Sequence, residues 1–236
     1  QTKNQKYKTI VIDELIRAIH PVKDIIAYSK IKSLLRELMP DIVHTHSAKA
    51  GILGRFAAYK LKTQNAKLKT VHSIHGLAFH PYQRAMLNKF YIAVEKAAAK
   101  RTDFFISVAD AMTNQSLTAG IGSPDRYATA YSAIEEDDFL RPISDEQKKQ
   151  FRQKYAIPEN SIVLVTIARL FHLKGHEFII ESAKSLAEQF PKVIWLFVGD
   201  GILADKYKSW IDGLGLGHRF RFTGLLSPNM MPTVLQ

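Results

Sequence analysis

Short apolar segments alternate with longer amphipathic segments along most of the chain, and this order restricts the fold more than any other feature. The clearest apolar segment is Ile162 to Ala168, a nearly continuous run that is typical of a parallel strand buried on both faces. Between such runs, apolar residues recur at helical spacing, as from Val22 to Leu38. Strands that alternate with helices of this length predict an α/β fold with parallel strands and helices on both faces.

The same pattern predicts two domains. An acidic and then highly charged stretch, Ala133 to Asn160, separates two sets of strands and places the boundary between residues 135 and 136. The chain is thus expected to contain two Rossmann-like domains, 1–135 and 136–236. Because Gln1 to Lys8 is polar and the second set has only three strands, both domains are expected to be truncated. Strands are predicted at 42–45, 69–74, 103–108, 126–131, 162–168, 193–198 and 219–223, and the longest helix at 82–100.

The composition excludes several classes of protein. Cysteine is absent, so disulfides, thiolate metal sites and thiol catalysis are excluded and a cytoplasmic location is favoured. No apolar run reaches the roughly 20 residues that a membrane-spanning helix needs. The formal charge of +11 favours anionic partners such as nucleotide phosphates, nucleic acid or an acidic membrane surface. Because the basic residues are scattered over many helices, nucleic acid is not expected as a partner.

The most informative local motif is Ala168 to Gly175, which follows a predicted strand and leads into a predicted helix. Ligands of doubly wound sheets bind at the carboxyl ends of parallel strands, where a helix N-terminus offers free backbone donors and a positive dipole to an anion. Arg169 offers a planar fork to phosphate oxygens, and Lys174 adds a mobile positive charge. The pair suits a diphosphate, but two solvated cations on an ordinary loop would have the same spacing, so spacing alone leaves both interpretations open.

Several further motifs follow one another in a characteristic order. The R-L-x-x-x-K-G segment from Arg169 is followed by V-G-D-G from Val198 and F-T-G from Phe222. In the first half, D-I-V-H-T-H-S-A-K-A-G begins at Asp41 and S-I-H-G begins at Ser73. Each motif is weakly specific, but their order and spacing together resemble those of glycosyltransferase family 4, the group 1 glycosyl transferases of the GT-B fold.

The resemblance implies a function for the whole chain. It implies an internal fragment of an enzyme that moves a sugar, with retention, from a nucleotide-diphosphate-sugar donor to a glycan or lipid-linked acceptor in cell-surface polysaccharide synthesis. Domain 1–135 would be the acceptor-side domain and domain 136–236 the donor-binding domain, with no metal or other cofactor. The basic helices would also favour peripheral association with the acidic inner face of the membrane. Because the family's N-terminal glycine-rich loop and C-terminal E-x7-E element are absent, the fragment is expected to be inactive alone.

The resemblance also implies which residues form the site. Arg169 and Lys174 would neutralise the charge that grows on the donor diphosphate as the glycosidic bond breaks, and His75 would contact the donor sugar. In one departure from the family, the segment from Tyr131 to Ile134 stands where many members have an Asn-Gly pair. The other implied contacts are Gly199, Gly224 and Leu225 for the donor, and His46, Ser47 and Lys49 on the acceptor side.

Other interpretations of the same residues remain open. The chain could be a nucleotide-sugar-binding protein without catalysis, or another GT-B enzyme such as a nucleotide-sugar 2-epimerase. A dehydrogenase is rejected, because Gly199-Asp200-Gly201 lacks the third glycine of a dinucleotide fingerprint. His44 and His46 share one face of a strand, but no third metal ligand is evident, so a metal site is not expected.

Two further features have structural explanations. The acidic run from Glu135 to Asp138 is expected to be a solvated loop between the domains, because runs of like charge usually face water. Gly51 and Gly54 lie within a predicted helix, where glycine costs about 1 kcal/mol relative to alanine. They are therefore expected to permit close packing of that helix against a neighbour.

Overall fold

The computed structural model describes residues 8–134 and 136–236, and the chain divides into two compact units. The first unit ends at Ala133 and the second runs from Ile134 to Gln236, close to the predicted division between residues 135 and 136. Most of the polar start, residues 1–7, and Glu135 of the acidic run lie outside the described residues. Each unit has its own parallel sheet, which is the predicted α/β class.

The first unit contains a four-stranded parallel sheet in the order β1-β2-β3-β4. Each strand therefore lies beside the next one in the chain, and right-handed connections of this kind place the intervening helices on one face. The elements are α1 Pro21–Leu38, β1 Ile42–His46, α2 Ala48–Leu61, β2 Lys69–Ile74, α3 Ala85–Ala99, β3 Phe104–Ser107, α4 Asp110–Thr118 and β4 Tyr127–Thr129.

Helix α2 packs closely on one face of this sheet. Val43 and Thr45 of β1 and His72 of β2 lie under the helix and are buried. A Cβ atom at Gly51 would lie 2.4 Å from His72 Cε1, and one at Gly54 would lie 2.8 Å from Thr45 Cγ2. The structure thus confirms close packing as the reason for glycine at both positions.

The opposite face of the first sheet differs from the expectation. Side chains alternate between the two faces of a strand, so Ile42 and Phe104 point away from the helical layer. They are 62% and 36% exposed. The predicted helical cover on both faces is therefore absent at these positions.

The second unit contains a three-stranded parallel sheet in the order β5-β6-β7. Its central strand, β6, is buried at every residue. Trp195 and Phe197 pack with side chains of α7 and α8, whereas Leu196 and Val198 pack with side chains of α6 and α9 on the other face. The elements are α5 Asp137–Leu140, α6 Asp145–Lys154, β5 Ile162–Ile167, α7 His176–Gln189, β6 Val193–Val198, α8 Ala204–Gly213, β7 Phe220–Gly224 and α9 Met231–Leu235.

The prediction that the apolar run from Ile162 is buried on both faces is wrong. The run forms β5, but Ile162, Leu164 and Ile167 are 57%, 45% and 44% exposed. Within the described residues β5 pairs only with β6, so it lies at the edge of the sheet. An apolar run shows that the side chains are hydrophobic. Their burial also requires a neighbouring element that covers them.

Candidate functional site

In the first unit, His46 and His75 meet at the carboxyl end of the sheet. His46 is the last residue of β1, and its backbone pairs with Ser73 of β2, so His75 follows two residues later at the same edge. His46 Nδ1 lies 2.9 Å from His75 Nε2, and the ring centroids are 5.2 Å apart. One of these nitrogens donates the hydrogen bond and the other accepts it, so the tautomers of the two rings depend on each other.

His44 extends this pair into a row of three imidazole rings. Its ring centroid lies 4.3 Å from that of His46, and its Nε2 lies 2.8 Å from Ser73 Oγ, so the predicted common face is confirmed. Partial desolvation lowers the pKa of His46, and the neighbouring rings of His44 and His75 lower it further. These surroundings therefore favour the neutral form of the His46 ring.

Metal coordination has no evident site in the described part of the chain. Within it, no group of three or more histidine, aspartate or glutamate side chains is arranged to hold a metal ion.

Ser47 and Lys49, both predicted on the acceptor side, begin helix α2 next to the histidines. Ser47 is the N-cap residue, with φ 64° and ψ 159°, a conformation that residues other than glycine rarely adopt. Its side chain is exposed and caps no backbone amide of the helix. Lys49 Nζ lies 2.5 Å from Asp24 Oδ1 and also donates a hydrogen bond to the Ala18 carbonyl oxygen, so this cation is tied to helix α1.

A buried polar layer lies beneath these residues and was not predicted. Arg55 is fully buried, and its Nη2 lies 2.7 Å from Glu95 Oε2. His72 Nδ1 lies 2.9 Å from Thr45 Oγ1, and burial followed by the charge of Arg55 lowers the pKa of His72 to about 3. The sequence contains one sign of this layer: Arg55 is the only charged residue in the segment from Gly51 to Tyr59.

The buried state of His72 predicts an acid-sensitive first unit. The folded pKa of about 3 lies below the ordinary value of 6.5. Protons therefore bind the unfolded chain first, and the stability that His72 contributes above pH 6.5 is lost as the pH falls toward 3. A pKa that is lower by one in the folded state corresponds to about 1.4 kcal/mol, so we expect a loss of a few kcal/mol.

Urea unfolding followed by circular dichroism between pH 7.5 and 4.5 measures this effect. Other groups also titrate in this range, so the variant His72→Gln serves as the reference. Its unfolding free energy should depend less on pH than that of the wild type. Equal pH dependence of the two proteins would contradict a neutral, buried His72.

In the second unit, the loops that follow the three strands are joined by backbone hydrogen bonds. The Leu170 amide donates to the Asp200 carbonyl at 3.0 Å, and the Gly199 amide donates to the Gly224 carbonyl at 3.0 Å. These bonds hold Gly199 and Gly224, two of the predicted donor contacts, beside each other at the carboxyl edge. Leu225, the third, follows β7 and is 77% exposed.

Arg169 and Lys174 lie in the connection between β5 and α7, and both side chains are exposed. The Arg169 guanidinium lies 5.7 Å from the centre of the Phe171 ring, whereas Lys174 ends a short 3₁₀ turn just before helix α7 begins at His176. Among the residues that the structure describes, neither cation forms an ion pair. Two uncompensated cations and a helix N-terminus therefore stand beyond the end of a parallel strand, where an anionic ligand is expected.

Below this connection lies a second buried group that was not predicted. His176 is fully buried between the Phe197 and Tyr207 rings, and neither ring nitrogen has a hydrogen-bond partner within residues 8–134 and 136–236. Burial lowers the pKa of His176. Burial and a hydrogen bond to Glu177 raise the pKa of Tyr207 to about 12. In the sequence, His176 recurs at helical spacing with Ile180 and Ala183. This spacing could have indicated that His176 lies on the apolar face of the helix.

Two parallel α/β units of this kind define the GT-B architecture, and solved structures confirm the fold. The structure of Anabaena HepE in complex with UDP matches with a TM-score of 0.70 and 21% identity over 89% of this chain and 54% of that one. WaaG, a glycosyltransferase involved in lipopolysaccharide biosynthesis, matches with a TM-score of 0.57 and 15% identity over 92% of this chain and 70% of that one.

Comparison with family models identifies the family. The model of Glycosyltransferase Family 4 matches residues 7–137, more than half of the chain, and the model of Glycosyl transferases group 1 matches residues 147–236. The chain therefore belongs to glycosyltransferase family 4, with a group 1 glycosyl transferase domain in its second unit.

Two curated relatives are about equally similar. The UDP-Gal:alpha-D-GlcNAc-diphosphoundecaprenol alpha-1,3-galactosyltransferase of Escherichia coli is 28% identical over 85% of this chain and 51% of its own length. An uncharacterized glycosyltransferase of Methanocaldococcus jannaschii is 26% identical over 93% of this chain and 54% of its own length. The chain thus spans about half the length of the curated relatives it matches. None of the helices in the described residues is both long enough and apolar enough to span a membrane.

Proposed function

We propose that the chain belongs to a transferase that moves a sugar, with retention, from a nucleotide-diphosphate-sugar to a lipid-linked or glycan acceptor. The observation that carries this proposal is the placement of Arg169 and Lys174. Both are exposed cations without ion pairs among the described residues, and they lie between the end of β5 and the start of α7. This arrangement suits a diphosphate better than any other common ligand.

The chemistry follows from the charge of the leaving group. When the bond between the sugar and the donor diphosphate breaks, negative charge grows on the diphosphate, and fixed positive groups stabilise it. The guanidinium of Arg169 can hold two phosphate oxygens, and the Lys174 ammonium supplies a second charge. We propose that these side chains supply the positive charge without a metal ion.

The first unit would hold the acceptor. Ser47 and Lys49 begin helix α2, and His46 and His75 are hydrogen-bonded to each other beside them. His75 would orient the donor sugar by hydrogen bonding, and the first turn of α2 offers free backbone donors to an acceptor phosphate. The name of the Escherichia coli relative gives a diphosphoundecaprenol-linked sugar as its acceptor, which supports the lipid-linked class. We further propose a role in cell-surface polysaccharide synthesis at the cytoplasmic face of the membrane, where the net charge of +11 would favour anionic lipids.

Calorimetric titration of the chain with UDP, GDP and ADP tests the donor site. We expect saturable one-to-one binding of a nucleoside diphosphate, with UDP bound most tightly. The names of two similar proteins, the Anabaena structure with UDP and the UDP-Gal-dependent transferase, support this choice of base. Failure to bind any of the three nucleotides would contradict the proposal. Tighter binding of GDP or ADP would mean that the donor carries guanine or adenine instead of uracil.

A further inference from the structure

A large apolar groove opens in the first unit beside the predicted acceptor residues. Its volume is about 670 Å³. The groove is formed by the segment before helix α1, the first turn of α1, the start of helix α2, the loop before α3, and α3 itself. Its apolar lining includes Leu15, Ile16, Ile52, Leu53, Phe90 and Val94.

Part of the groove lining is polar. Ser47 and Lys49 in the first turn of α2 line it, as do Asp24 and Arg17. Arg17 is exposed, whereas Lys49 is held by Asp24 at 2.5 Å. Ile52 lies three residues beyond Lys49 on α2, about 4.5 Å further along the helix axis. The lining thus changes from charged to apolar within one helical turn.

This order of surfaces matches an amphiphile with a phosphate at one end. A ligand that places its phosphates near Arg17 and the first turn of α2 would direct its other end along Ile52 and toward Phe90. Burial of the methylene groups of such a chain removes apolar surface from water and so favours binding. Pockets for organic ligands usually have volumes of roughly 300 to 1,000 Å³, so the groove is of suitable size.

The exposed residues around the start of α3 support the same ligand. Tyr82 and Met86 are 63% and 86% exposed, and the basic residues Arg84 and Lys89 lie close to them in the chain. Exposed apolar side chains interleaved with cations are typical of surfaces that contact an anionic membrane. A lipid could therefore pass from a bilayer into the groove past these residues.

We propose that the groove binds the isoprenoid chain of a polyprenyl-diphosphate-linked acceptor, with the diphosphate near Arg17 and the start of α2. This assignment rests on the proposed function and narrows its acceptor to one class of lipid. The donor site lies in the second unit, so the two can be tested separately.

The test compares two probes by calorimetric titration: farnesyl diphosphate, which carries a short isoprenoid chain, and inorganic pyrophosphate, which carries none. We expect the wild type to bind farnesyl diphosphate at least tenfold more tightly than pyrophosphate. Phe90→Glu places a charge in the groove and should remove this advantage. Phe90 is 54% exposed, so the fold should tolerate the change, and circular dichroism checks it.

Ala93→Glu is the matched control. It introduces the same charge on the same helix, α3, at an exposed position that does not line the groove. We expect it to keep the preference for farnesyl diphosphate within about twofold of the wild type, which corresponds to less than about 0.5 kcal/mol.

Three results would overturn the proposal. Equal binding of farnesyl diphosphate and pyrophosphate would show that the groove does not hold the chain. Equal losses in Phe90→Glu and Ala93→Glu would indicate nonspecific adsorption to the protein surface. A dimer, detected by sedimentation and dissociated by Phe90→Glu, would mean that a second copy covers the groove. If UDP binding persists in any of these cases, the proposed transferase function stands without the polyprenyl acceptor.

Discussion

Replacing Arg169 with alanine is expected to weaken UDP binding by about tenfold or more, and Lys174→Ala is expected to have a similar effect. Hydrogen bonds to charged groups contribute about 1.5–3 kcal/mol each, which corresponds to roughly 10- to 150-fold in the dissociation constant. Neither side chain is paired with a carboxylate in the described residues, so its full charge is available to a ligand. Calorimetry on each variant measures the change.

Lys184→Ala provides a control of equal charge. Lys184 is an exposed residue of helix α7, which begins just after Lys174, and it lies eight residues beyond His176, about 12 Å along the helix axis. Its removal should change UDP binding by less than about twofold. Equal effects of Lys184→Ala and Lys174→Ala would show that only overall charge attracts the nucleotide, and the assigned diphosphate site would then be wrong.

Arg169→Lys separates geometry from charge. Lysine keeps the positive charge but cannot donate two parallel hydrogen bonds to a phosphate. If Arg169 acts as a bidentate donor, this variant should bind UDP more weakly than the wild type, although less weakly than Arg169→Ala. Unchanged binding by Arg169→Lys would mean that the position supplies charge alone.

Element positions could be predicted well where the periodicity of apolar residues is strong. Strand β6 was predicted at 193–198 and has those bounds, because its six residues are all buried. Helix α3 was predicted to start at residue 82 but starts at Ala85. Gln83 Nε2 and the His80 amide instead donate to Asn88 Oδ1, at 2.8 Å and 3.2 Å, and these bonds stabilise a turn before the helix. Such side-chain bonds compete with helix formation, and apolar spacing does not record them.

The candidate site was predictable only in part. The carboxyl ends of parallel strands meet at one edge, so the sequence indicates that the segments at His46 and His75 lie near each other. The bond between their rings, however, depends on the register in which His46 pairs with Ser73. The apolar groove depends on packing among segments as far apart as Leu15 and Val94, and a local pattern contains no information on such contacts.

The backbone at Gly199 supports the Arg169 connection and allows no side chain. Its φ is 136°, a conformation that residues other than glycine rarely adopt. A Cβ atom there would lie 2.2 Å from the Ala168 carbonyl oxygen and 2.9 Å from its carbon. Both contacts are with backbone, so no side-chain rotation can relieve them.

Gly199→Ala is therefore expected to destabilise the second unit strongly. Backbone strain costs about 1–3 kcal/mol and overpacking about 1–3 kcal/mol, so we expect a total loss of about 2–6 kcal/mol. Both tryptophans, Trp195 and Trp210, lie in the second unit, so urea unfolding followed by tryptophan fluorescence reports on that unit alone. Where the variant remains folded, UDP binding should also weaken, because Ala168 must move and Arg169 is the next residue.

Gly213→Ala makes the same substitution in the same unit where a side chain has room. Gly213 is the last residue of α8, and a Cβ atom there would have no neighbour within 4 Å. Alanine is a better helix former than glycine by about 1 kcal/mol, so this variant should be as stable as the wild type or slightly more so. If Gly199→Ala were equally harmless, the loops after β5 and β6 would not be in the close contact described, and the rigid support assigned to Arg169 would have to be abandoned.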